Sequence, residues 1–68
     1  MAKAFLSREI IKRLEADGWE EARQTGSHKQ FTHPRRPGRV TVAHPVKTMA
    51  TGTVRSIFRQ AGWSWPPR

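Results

Sequence analysis

A chain of 68 residues makes one domain and buries only about 60% of the surface that it exposes when unfolded. That argues against a large internal active-site cavity and puts any chemistry on a surface or in a shallow cleft. With no cysteine, neither a disulfide nor a thiolate zinc site can staple the fold, and 13 Lys plus Arg against 5 Asp plus Glu leave a formal charge of +8, which points to a polyanionic partner.

The N-terminal stretch "MAKAFLSREIIKRLEADGW" has no uninterrupted apolar run of the kind a signal peptide carries. Nothing in the chain approaches the roughly 20 apolar residues of a membrane span. The reading is a cytoplasmic protein. Nucleic acid ranks ahead of an anionic membrane surface, because the cations are spread over strands and turns rather than along one amphipathic helix face.

Leu6, Ile10 and Leu14 recur every four residues with Ile11 alongside, and charged residues fill the rest of the wheel, which predicts a helix over about Arg8 to Asp17. Ser7 is placed to cap its free N–H groups, and Gly18 to end it. Trp19 to Gln24, bounded by Gly18 and the Gly26-Ser27 turn, reads as a short strand. His28 to His33 alternates about Phe31, and Arg39 to His44 alternates about Val40 and Val42, so the two form a hairpin around "PRRPG". Pro45 stops the third strand, a loop carries Lys47 to Ala50, and Val54, Ile57, Phe58 and Ala61 mark a second helix that ends at Gly62. The tail "WSWPPR" has neither pattern.

The order is α-β-β-β-α in an α+β fold: a three-stranded antiparallel sheet with both helices on one face, the face of Phe31, Val40 and Val42. One domain is expected over 1–68, with its core in 6–62 and a Trp/Pro-rich tail at 63–68. Because side chains alternate along a strand, His28, Gln30 and Thr32 share the open face with Arg39, Thr41 and Ala43.

Parity also separates the three histidines. His33 and His44 share the parity of Phe31 and Val42 and read as partly buried rings with a bonded N–H. His28 reads as exposed, beside a flexible turn and among unpaired cations. A three-histidine metal site fails because His28 points away from the other two, and no Asp, Glu or Cys stands near any of them to complete a shell. A Ser27–His28 nucleophile pair fails because strand neighbours point to opposite faces and no carboxylate orients the ring. RNA cleavage asks for less: the 2′-hydroxyl supplies the nucleophile, and the protein moves protons and stabilises a charged phosphorane. On this reading His28 transfers the proton, while Lys29, Arg39, Arg23 and Lys47 are the candidate phosphate contacts. Ser27 shapes the turn or offers its hydroxyl to a phosphate. Arg8, Lys12 and Arg13 share their helix face with acids and read as a solvated surface. Arg35, Arg36 and Arg39 have no acidic neighbour. Trp19, Trp63 and Trp65 could stack on bases, with core packing favoured for Trp19.

The stretches "REIIKRLEADGWEEARQTGSHKQFTHP", "PGRVTVAHP" and "GTVRSIFRQAG", in that order and spacing, resemble the HicA-type toxins, small mRNA interferases of bacterial toxin-antitoxin modules. The resemblance covers about residues 6 to 62. It implies a fold like the double-stranded RNA-binding domain, and His28 as the residue required for cleaving mRNA. Gly26 and Ser27 match the rest of the family's Gly-Ser-His motif. It also implies inhibition by a HicB-type antitoxin, without a metal or other cofactor. Two positions depart from the family: Lys29 stands where a second histidine is frequent, and Ala50 where a proline is. The rival readings are a non-catalytic RNA-binding module and a basic structural protein such as a ribosomal component. A true double-stranded RNA-binding domain carries a lysine cluster at the start of its second helix, where this chain has only Arg55 and Arg59.

Overall fold

The computed structural model describes residues 5–65, so the first four residues of the stretch read for a leader, and the last three of the Trp/Pro-rich tail, lie outside the described residues. The order is α1 (Ser7–Ala16), β1 (Glu20–Thr25), β2 (His28–His33), β3 (Arg36–Ala43) and α2 (Thr51–Ala61), the α-β-β-β-α order expected of a fold like the double-stranded RNA-binding domain. The sheet is antiparallel with β2 in the middle. Among the described residues no helix is long and apolar enough to cross a membrane.

Both helices lie against the sheet face of Phe31, Val40 and Val42, all three fully buried. From α1 come Ile10 and Leu14, and from α2 Val54, Ile57, Phe58 and Ala61, the positions that a 3.6-residue period brings to one stripe. Burying a side chain such as Leu14 or Phe58 contributes about 1.5 to 3 kcal/mol. Trp19, only 2% exposed, belongs to this core, so β1 begins one residue after it and runs on to Thr25.

Two local expectations are corrected. Ser7 does not cap α1; it is the first helical residue and is buried, and its Oγ accepts from the Val46 N–H (2.8 Å). Leu6 precedes the helix instead, and the Glu9 carboxylate three residues on accepts the Leu6 N–H (3.3 Å), half of a capping box. The β3 strand starts at Arg36 rather than Arg39. His33 pairs with Arg36 across a two-residue Pro34-Arg35 turn, and an irregularity in the ladder takes up the extra residues around Pro37, which has no N–H to donate.

The tail also departs from its featureless sequence. Trp63 and Trp65 lie edge-on to Phe58, each with its ring centre 5.1 Å away. The Arg13 guanidinium sits over Phe58 (5.0 Å) and Trp63 (4.9 Å), so this cation is part of the packing and not a free surface charge.

Candidate functional site

The two ends of β2 carry the site and its counterpart. At one end, Thr25 pairs with His28 across Gly26 and Ser27. Gly26 has φ +58°, a conformation that glycine adopts without a Cβ penalty, and it stands first in a two-residue turn of the type that matches strand twist. The turn is tied down on two sides: Gln24 Nε2 donates to the Gly26 carbonyl (3.1 Å), and the His44 N–H donates to the Ser27 carbonyl (2.7 Å). His28 therefore leaves a fixed backbone, and its side chain is exposed, with no hydrogen-bond or ionic partner among the described residues.

Register gives the surroundings of that ring. Thr25 and Ala43 flank it directly, and the next row on the same face is Arg23, Gln30 and Thr41. Arg23 is its diagonal neighbour, within reach of a long side chain. One row further, Arg39 Nη1 donates to Gln30 Oε1 (3.0 Å), and its other guanidinium N–H groups have no partner among the described residues. Glu20, paired with Thr32, is the acid of this face and lies toward the far end. The result is an open, cation-bearing sheet surface with one imidazole at its edge.

Lys29 is not on that face. It alternates to the other side of β2, and its Nζ meets Glu21 Oε1 at 3.0 Å, so it stands apart from His28 although it is next to it in sequence. Lys47 lies beyond β3 in the segment after the cis His44–Pro45 bond, near the start of α1. Arg36, a candidate free cation by sequence, is occupied: Nη1 donates to Asp17 Oδ2 (2.9 Å) and to the Ala61 carbonyl (2.9 Å).

The other two histidines are structural. His33 Nδ1 accepts the Arg35 N–H (2.9 Å), so its Nε2–H donates to the Asp17 carbonyl (2.9 Å), and the ring lies edge-on to Trp19 at 5.3 Å. Gly18, at φ +96°, leaves that ring its space: a Cβ there would come within 2.7 Å of His33 Nε2. His44 Nδ1 lies 2.7 Å from Ser7 Oγ. Ser7 accepts from Val46 and keeps a second lone pair and its own proton, so His44 Nδ1 is committed to Ser7 in either tautomer. Among the described residues no three His, Asp or Glu side chains come together as metal ligands.

Sequence reasoning missed the part played by Asp17. Its Oδ2 accepts from the indole N–H of Trp63 (2.9 Å) and of Trp19 (3.3 Å) as well as from Arg36. The Trp63 hydrogen bond, followed by the charge of Arg36 and the Trp19 bond, lowers the Asp17 pKa against the opposing pull of desolvation. The only sequence signal was a lone acid between a helix end and two tryptophans.

Residues 7–63 match the family model described as HicA toxin of bacterial toxin-antitoxin. Curated proteins give no match.

Proposed function

The chain belongs to the HicA toxins of bacterial toxin-antitoxin modules, so an antitoxin is its general partner; from that premise we propose that it is a metal-independent endoribonuclease that cleaves mRNA with His28 as the proton-transfer group. The observation that carries this reading is the exposed His28 ring on a pinned Gly-Ser turn, unpartnered among the described residues and facing the same way as Arg23 and Arg39. Its structural counterpart on the same strand, His33, has both nitrogens bonded to backbone.

In the proposed reaction a single RNA strand lies across the open sheet face. The imidazole takes the 2′-hydroxyl proton, the oxygen attacks the adjacent phosphorus, and the bond to the 5′-oxygen of the next nucleotide breaks as that oxygen takes the proton back from the imidazolium. Arg23 and Arg39 hold the negative charge that builds on the phosphorane, with the Gly26-Ser27 turn close by to donate. The products are a 2′,3′-cyclic phosphate and a 5′-hydroxyl. A HicB-type antitoxin inhibits by covering the His28 face, and the reaction takes place in the cytoplasm, where mRNA is found.

The test is cleavage of single-stranded RNA by purified protein in EDTA, with the product ends identified. His28→Ala lowers the rate by about 10^2 to 10^4 while RNA affinity stays near that of the wild type. Undiminished cleavage by that variant rules out the assignment. Products with 5′-phosphate make water the nucleophile and overturn the mechanism.

A further inference from the structure

A second feature lies at the same end of the sheet and is not used by the reaction above. The first residues of α1 (Leu6, Ser7, Arg8) and the segment His44–Lys47 enclose an open cleft of about 340 Å³. Ligand pockets span roughly 300 to 1,000 Å³, so this one suits a single flat ring and is too small for a helix or a duplex. Leu6, Pro45 and Val46 provide apolar walls. Arg8 and Lys47 stand at the cleft, both exposed, and neither has an ionic partner among the described residues.

The cleft is built around His44. With Nδ1 committed to Ser7, the ring's Nε2 has no partner among the described residues, although the ring is half-buried. The cleft is also coupled to the His28 turn: the His44 N–H holds the Ser27 carbonyl at 2.7 Å, and His28 is paired directly with Ala43, the residue before His44. The apolar slot, with an unpartnered ring nitrogen and two cations, thus begins one residue beyond the β3 partner of His28.

We infer that this cleft is a nucleotide subsite: it takes one unpaired RNA base next to the scissile phosphate, with His44 Nε2 hydrogen-bonding the base edge and Arg8 and Lys47 contacting the flanking phosphates. The inference rests on the RNA reading of the His28 face. It assigns roles to His44 and Arg8, whose sequence contexts suggested only a bonded ring and a solvated charge.

Two measurements test it. First, His28→Ala protein, which retains the proposed binding surface, is irradiated with a short single-stranded RNA carrying 4-thiouridine, and the crosslinked peptide is mapped. The subsite requires crosslinks at residues 6–8 or 44–47. Crosslinks confined to the open sheet face or to the Trp63–Trp65 segment overturn it. Second, Arg8→Gln with Lys47→Gln reduces the slope of log affinity against log salt by about 0.7 for each cation removed. His44→Asn keeps a hydrogen-bonding group for the Ser7 hydroxyl while removing the outer ring nitrogen, and it raises KM about fivefold with kcat and Tm little changed, the effect of one hydrogen bond. An unchanged salt slope and KM overturn the subsite, and if the same variants weaken antitoxin binding instead, the cleft is a protein contact. Cleft crosslinks in a protein that never cleaves RNA defeat the nuclease reading and leave the subsite standing; no RNA binding at all defeats both.

Discussion

The strand β2 has a histidine at each end, and the two have opposite fates. His33 is held by the Asp17 carbonyl on one nitrogen and the Arg35 N–H on the other, against Trp19, at an end where Asp17 also gathers Trp19, Trp63 and Arg36. His28 has an equally fixed backbone, but its ring has no partner among the described residues and its face carries arginines with N–H groups to spare. A ring with both nitrogens committed to backbone must break structure in order to exchange a proton. A ring held only by its backbone exchanges protons at no structural cost. The polar groups at the Asp17 end satisfy one another, and at the other end the His28 ring is bonded to none among the described residues.

Swapping what is lost at each end sharpens the contrast. His28→Ala carries the largest expected effect, the loss of about 10^2 to 10^4 in cleavage rate, with stability within about 0.5 kcal/mol of the wild type in a denaturant titration. His33→Ala does the reverse: losing two hydrogen bonds and an edge-on ring contact costs about 2 kcal/mol of stability, while cleavage at a temperature where the variant is folded is retained. If His33→Ala abolished cleavage while still folded, the division of labour between the two ends would fail.

Asp17→Asn is expected to cost about 1 kcal/mol at neutral pH, since the amide keeps an acceptor for Trp63 but loses the charge that Arg36 meets. The Asp17 pKa is lowered below 3.8, so its ionised form adds stability above that value, and the contribution is lost as pH falls through the lowered pKa. Thermal melts of the wild type and variant should therefore converge as pH falls below 3.8 and through the lowered pKa; a gap of constant size from neutral to acid pH would show that Asp17 contributes through shape and not charge. The smallest effect belongs to Lys29→Gln, which removes a partly exposed ion pair with Glu21 and shifts stability by less than about 1 kcal/mol. Because Lys29 faces away from His28, the rate should hardly change. A loss as large as that of His28→Ala would bring Lys29 into the site.

Periodicity made the two helices, the three strands and the buried face legible, because Ile10, Leu14, Phe31, Val40, Val42, Val54, Ile57 and Phe58 have to leave water together and only one arrangement of periods 3.6 and 2 lets them. The exposure of His28 and the common face of His28, Gln30 and Arg39 follow from the same parity. The sequence misled wherever a polar group had a partner distant in the chain. Ser7 looks like a helix cap and instead serves Val46 and His44, 39 and 37 residues away. Arg36 looks free until Asp17 meets it from 19 residues back, and the tail looks patternless until Trp63 reaches Asp17 across 46.

What the sequence determined by itself was the alternation and spacing of apolar side chains, hence the order of the elements, the buried face and the outward histidine, since these depend only on local backbone geometry and the exclusion of water. What only the tertiary structure decided was which polar groups satisfy one another: that His33 is a strut, that Asp17 gathers the far end, and that a cleft forms beside His44. Hydrogen bonds act over about 3 Å and leave no periodic trace in a sequence, so their partners become known only once the chain has brought them together.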